Sequence, residues 1–189
     1  MSLHILDIAE NGLDAGATFI GIFLSETRAD DLLSVTIEDN GLGISSENLE
    51  KVMDPFYTTR QTRRVGLGLS LFRETSRRCG GTFKLTSREG RGTRVEATFG
   101  LTHIDLPPMG DIAGCISTIL MGHPHLDLVY DHEVDGEKFT FDTREIKEGL
   151  EEVPINNPRV LMHLTEMIRK SEAALREVGP SASKTPGPR

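Results

Sequence analysis

The chain has 189 residues, 37% hydrophobic and 26% charged, with a formal net charge of -8 at pH 7. That balance fits a globular protein of one full domain plus an appendage, and the acidic surplus argues against general nucleic-acid binding. No run approaches the ~18 consecutive apolar residues of a membrane helix, and no basic-then-apolar leader opens the chain, so a cytoplasmic protein without a membrane segment is expected. Cys79 and Cys115 lie far apart without metal-ligand spacing and read as reduced thiols.

Residues 3–14 read as an amphipathic helix in which Asp7, Glu10, Asn11 and Asp14 share one face. A solvated polar face explains that pattern, and so does a hard-cation site, because an Asn carbonyl and a carboxylate one turn apart suit Mg²⁺ beside a phosphate. A strand follows at 19–25, with Ile20, Ile22 and Leu24 on one side and Phe19, Gly21 and Phe23 on the other. The next strand alternates Leu33, Val35 and Ile37 with Ser34, Thr36 and Glu38, and it delivers Asp39 into Asn40-Gly41-Leu-Gly43. A carboxylate beside bare glycine backbone suits an exocyclic amine of an adenine-like base, although an Asp-Asn-Gly turn needs no ligand.

A short helix starts at Ser45-Ser46-Glu47 and stops near Asp54-Pro55. Asp54-Pro-Phe56-Tyr-Thr58-Thr59-Arg60 and a loop through Val65 offer hydroxyls and guanidinium groups for outer phosphates, or simply a basic solvated loop. Gly66-Leu-Gly68-Leu opens a helix running to Cys79 and stopping at Gly80-Gly81. Glycines feeding a helix start give free amides and a favourable dipole for an anion. Strands at 82–88 and 93–99 flank a Glu89-Gly-Arg-Gly92 turn and form a hairpin. There is no P-loop, and Ser46 occupies the third glycine place of a dinucleotide fingerprint.

The Asp7/Asn11 helix, Asp39-x-Gly41-x-Gly43, Asp54-Pro-Phe-Tyr-Thr-Thr-Arg60 and Gly66-Leu-Gly68-Leu stand in one order over about sixty residues. Together they resemble the GHKL superfamily of ATPases, which includes gyrase, heat-shock chaperones, histidine kinases and MutL-type proteins. Gly90-Arg-Gly92-Thr93 adds a match typical of kinases, and the resemblance covers residues 4–100. It implies ATP and Mg²⁺ as ligands, with Asn11 holding the metal and Asp39 accepting from adenine above Gly41 and Gly43. Thr58, Thr59 and Arg60 would stand by the outer phosphates, with Gly66 and Gly68 on the β-phosphate side. The implied fold is a Bergerat α/β sandwich, a mixed sheet with helices on one face.

Glu10-Asn11-Gly-Leu-Asp14-Ala-Gly-Ala-Thr18 resembles MutL-type proteins most, whereas the Pro-Phe-Tyr-Thr-Thr-Arg and Gly-Leu-Gly-Leu stretches resemble nitrogen-regulatory histidine kinases. The kinase-like branch is favoured, because its matches are longer and nearer the transferred phosphate. Hydrolytic members carry a Glu four residues before the Asn as general base. Here Asp7 takes that catalytic place with a side chain one methylene shorter, which puts hydrolysis in doubt. The chain begins at this helix and His4 is a poor phosphoacceptor, so a phosphoacceptor or regulatory target is expected on a partner protein.

His103-Ile-Asp-Leu-Pro107-Pro108 marks an expected boundary between an ATP-binding domain at 1–102 and a small α+β extension at 103–178. The extension reads as a helix at 110–121, a hairpin at 126–133 and 137–141, and helices at 143–152 and 158–177. Val160, Leu161, Leu164, Met167, Ile168 and Leu175 are spaced for a buried stripe, packed against a partner or, as is expected, internally. His123, His125 and His132 lack the tight spacing of a structural metal site. Residues 179–189 read as a disordered tail. The whole chain also resembles short stand-alone bacterial ATP-binding proteins that share the His-Ile-Asp-x-Pro-Pro stretch. The expected function is transfer of the ATP γ-phosphate to a partner; a non-catalytic, anti-sigma-like nucleotide switch and a slow MutL-like ATPase are the rivals.

Overall fold

A computed structural model of the chain describes residues 1–49, 52 and 68–177. In order come helix α1 (Ser2–Asp14), strands β1 (Phe19–Thr27) and β2 (Leu32–Asp39), short helix α2 (Ser46–Leu49), helix α3 (Gly68–Arg78), and strands β3 (Phe83–Arg88) and β4 (Gly92–Gly100). Helix α4 (Ile112–Gly122), strands β5 (Asp127–Val134) and β6 (Glu137–Asp142), and helices α5 (Thr143–Leu150) and α6 (Pro158–Glu177) complete it.

The described residues form a six-stranded mixed sheet of order β3-β4-β2-β1-β5-β6. All neighbouring pairs are antiparallel except β1 and β5, which run parallel with Ile20 beside Leu128 and Ile22 beside Tyr130. The expected boundary at residue 103 falls in the turn after β4, and β5 and β6, which follow it, add to the same sheet.

The period-two pattern works as read. Ile20, Ile22, Leu24, Leu33, Val35 and Ile37 are buried in one cluster with Ile5 and Ile8 of α1, Phe72 of α3, Ile116 of α4 and Ile168 of α6. Each such side chain contributes about 1.5–3 kcal/mol on leaving water. The α6 stripe packs internally, with Leu161, Leu164, Ile168 and Leu175 buried and Val160 and Met167 partly so.

Helix ends follow local chemistry. Past the end of α1, Gly16 takes φ +75°, the Gly16 amide donates to Leu13 and the Ala17 amide to Gly12, so Asp14-Ala-Gly-Ala is a helix stop. Gly80 and Gly81 end α3 in the same way, donating to Arg77 and Ser76. Asp111 caps α4 by accepting from the Gly114 amide, and Asp142 caps α5 by accepting from the Arg144 amide.

Candidate functional site

Strand β2 ends at Asp39, whose carboxylate is half-buried against α1. A Cβ placed on Gly12 would lie 2.8 Å from the Asp39 Cβ and 3.0 Å from its Cγ, so helix and carboxylate touch where α1 lacks a side chain. The Gly41 amide donates to Asp39 Oδ1 at 2.8 Å. Burial pushes the Asp39 carboxyl up from its ordinary value, and backbone amides of Gly41 and Thr93 pull it partly back. A carboxylate offers about four acceptor positions, so two amides leave room for a ligand donor.

The glycines have separate duties. A Cβ on Gly41 would lie 2.9 Å from the Ala15 carbonyl oxygen, so this residue lets the loop close on the end of α1. Gly43 takes φ +68° and meets the Arg88 carbonyl, and the Gly90 amide donates to the Leu42 carbonyl at 2.7 Å. The β3–β4 hairpin is thereby fastened onto the glycine loop, and the Ile44 amide donates to Ser87 Oγ at 2.8 Å.

Asp7 and Asn11 project from the same face of α1, Asp7 half-buried and Asn11 exposed. Asp7 lies against the first residue of α3: a Cβ on Gly68 would be 3.2 Å from the Asp7 Cβ. Helix α1 and the turn that leaves it therefore gather the described residues assigned to the site from the sequence, apart from Gly43, which packs on Arg88. The helix carries Asp7 and Asn11, meets Asp39 at Gly12 and meets Gly68 at Asp7, and the turn reaches Gly41 through Ala15. Thr58, Thr59, Arg60 and Gly66 lie outside the described residues.

Sequence reasoning passed over Gly12 and Asn40. The Asn40 side-chain oxygen accepts from the Thr18 amide at 2.8 Å and the Phe19 amide at 2.9 Å, while its nitrogen donates to Thr18 Oγ1 at 2.9 Å. In Asp39-Asn40-Gly41 that side chain reads only as a turn former; its partners more than twenty positions away leave no local signal.

Away from this site, His132 of β5 sits in the interior. Its Nδ1 is 2.9 Å from Glu172 of α6 and its Nε2 is 3.2 Å from Glu26 of β1, and Tyr130 Oη donates to the same Glu172 at 2.6 Å. Burial works to lower the imidazole, but hydrogen bonds to the two carboxylates outweigh it and raise His132 to about 9. Burial likewise opposes the Glu172 charge, and His132 with Tyr130 holds that carboxyl below its ordinary value.

The residues at α1 fit a metal–nucleotide ligand. Asn11 and its neighbouring carboxylates are hard oxygen donors of the type Mg²⁺ takes, and Asp39 is an acceptor facing bare backbone. No helix among the described residues is long and apolar enough to cross a membrane.

A carboxylate at a strand end, a glycine loop closed on the neighbouring helix, and a mixed six-stranded sheet with helices are the arrangement of the Bergerat fold. The model of the "Histidine kinase-, DNA gyrase B-, and HSP90-like ATPase" family matches residues 3–103, more than half of the chain. The chain belongs to this family, and the matched part is a GHKL-type ATP-binding domain. A Shewanella frigidimarina protein named for a sensor role is 31% identical over 103 residues, which are 53% of this chain and 16% of that protein. Sensor histidine kinase WalK of Bacillus subtilis is 36% identical over 74 residues, 36% of this chain and 12% of WalK. The match thus spans less than a fifth of either relative. The Aquifex aeolicus MutL ATPase domain complexed with ADP shares the fold, with a TM-score of 0.50 and 18% identity over 80% of this chain and 67% of that one.

Proposed function

We propose that the chain is a Mg²⁺-dependent ATP-binding protein of the histidine-kinase type that passes the γ-phosphate to a partner protein. The observation that carries this reading is Asp39: a half-buried carboxylate oriented by the Gly41 amide, held against α1 where Gly12 leaves space. Asp39 accepts from the adenine amine while Gly41 and Gly43 admit the base. Asn11 supplies an oxygen to Mg²⁺ one helical turn from Asp7. Thr58, Thr59, Arg60, Gly66 and Gly68 serve the phosphates, where guanidinium and helix-start amides offset developing charge. The similarity to sensor kinases, WalK over 74 residues among them, supports the kinase branch.

The test follows the γ-phosphate of labelled ATP with Mg²⁺, on the purified protein alone and with soluble extract. Label on a protein, lost when Asp39→Ala replaces the parent, establishes the transferase; acid or base lability then separates His from Ser acceptors. Label that stays on ATP overturns transfer. In that case the second reading holds, a nucleotide-dependent binding switch. Asp7 in place of the hydrolytic Glu favours it, because the shorter carboxylate reaches an attacking water less well.

A further inference from the structure

We propose that Asn40 is a positioning residue that fixes the distance between the base-binding loop and the phosphate-facing helix α1; the proposal rests on the nucleotide reading above. Two loops meet here, the turn that leaves α1 at Ala15–Thr18 and the Asp39–Gly43 loop that leaves β2. Their backbones touch through the Leu42 amide donating to Ala15 at 2.9 Å and, more loosely, the Asn40 amide to Phe19 at 3.4 Å. The Asn40 side chain adds three further bonds, two accepted from the Thr18 and Phe19 amides and one donated to the Thr18 hydroxyl.

That set demands an acceptor and a donor on one short side chain. Aspartate has no donor, serine is too short to span both strands, and glutamine adds a methylene that moves the amide away. Asn40 is bonded directly to Asp39 in the chain, and Thr18 follows four residues after Asp14 of the metal-facing helix face. The clamp thus links the carboxylate that reads the base to the element that faces the phosphates. The bonds lie at the surface, so water can satisfy the Thr18 and Phe19 amides once the side chain is gone. The fold therefore survives its removal, and what is lost is the spacing.

A ligand that engages both ends gains from fixed spacing, whereas a fragment that engages one end does not. The experiment compares the parent protein, Asn40→Ala and Asn40→Asp by NMR titration with a non-hydrolysable ATP analogue, adenosine, and Mg²⁺-tripolyphosphate, alongside thermal melting. In Asn40→Ala the analogue is expected to bind about tenfold more weakly, while both fragments hold within about twofold. Asn40→Asp keeps the acceptor and falls between. Unchanged analogue affinity in Asn40→Ala overturns the proposal, and so does a loss of adenosine affinity equal to the loss for the analogue. Failure of the parent protein to bind the analogue removes the nucleotide reading itself, and the proposal with it.

Discussion

Asp7 and Asp39 are both half-buried carboxylates, and their surroundings give them different work. Asp39 accepts from the Gly41 amide and lies against Gly12, so its carboxylate is oriented and offers oxygen to a donor. Asp7 lies against Gly68 at the start of α3, beside the proposed phosphate side. Its side chain falls one methylene short of a general-base glutamate. Asp7→Glu should therefore raise steady phosphate release from ATP by about tenfold or more, given that a placed base contributes on the order of 10²–10⁴. A coupled phosphate assay checks it, and an unchanged rate would show that reach is not what limits hydrolysis. His132 gives a prediction of opposite character. Its folded value of about 9 stands above the unfolded ~6.5, so its contribution is complete below pH 6.5 and is lost as pH rises through 9. Urea unfolding should show a loss on the order of 3 kcal/mol across that window, and His132→Phe should flatten the slope. A parallel pH profile in parent and variant would mean that the imidazole is not charged inside the fold.

At the scale of elements, close approach decides which substitutions the fold tolerates. Gly81 follows α3, and a Cβ there would run into the Thr98 carbonyl of β4; buried Ser76 Oγ donates to the Thr82 and Thr98 carbonyls at 2.7 and 3.0 Å. The end of α3 is thus bonded to the sheet with no space between. Gly81→Ala should destabilise by about 2–4 kcal/mol, since the obstacle is backbone that cannot rotate away, and Ser76→Ala by only about 1 kcal/mol. Chemical denaturation of both variants tests the ranking. These contacts also mark what the sequence made legible. Gly80-Gly81 announced the helix stop, alternation announced β1 and β2, and the α6 stripe announced a buried face, because each is written within a few neighbouring residues. Strand β5 was legible as part of a hairpin, but the inward place of His132 between Tyr130 and Val134 was not. Its compensation comes from Glu26 and Glu172, each at least forty positions away. The same limit hid Asn40 and Gly12, whose roles depend on partners across the fold.

At the scale of the molecule, the parallel pair of β1 and β5 joins the two halves of the chain. Strand β1 lies between β2 and β5, so its Ile20–Glu26 backbone is paired on both sides. The same seam carries the Glu26–His132–Glu172 chain, and Asp135 of the β5–β6 turn receives Arg28 in an ion pair at 3.1 Å. Nothing in the alternation of Ile20, Ile22 and Leu24 says whether a strand is an edge or has a second neighbour, which is why residues 103–178 read as an appendage. Cutting after residue 102 would turn β1 into an open edge and bare the apolar surface now covered by Leu128, Tyr130, Ile116 and Ile168. A 1–102 fragment should therefore lose the cooperative melting transition of the full chain and bind an ATP analogue weakly or not at all. Full-length protein and fragment are to be compared by calorimetry and by amide exchange at β1. A cooperative melt with retained binding would show that the ATP-binding part stands alone and that β5 and β6 serve another purpose. Loss of both, with β1 amides exchanging freely, would show that the carboxy-terminal half is built into the ATPase sheet.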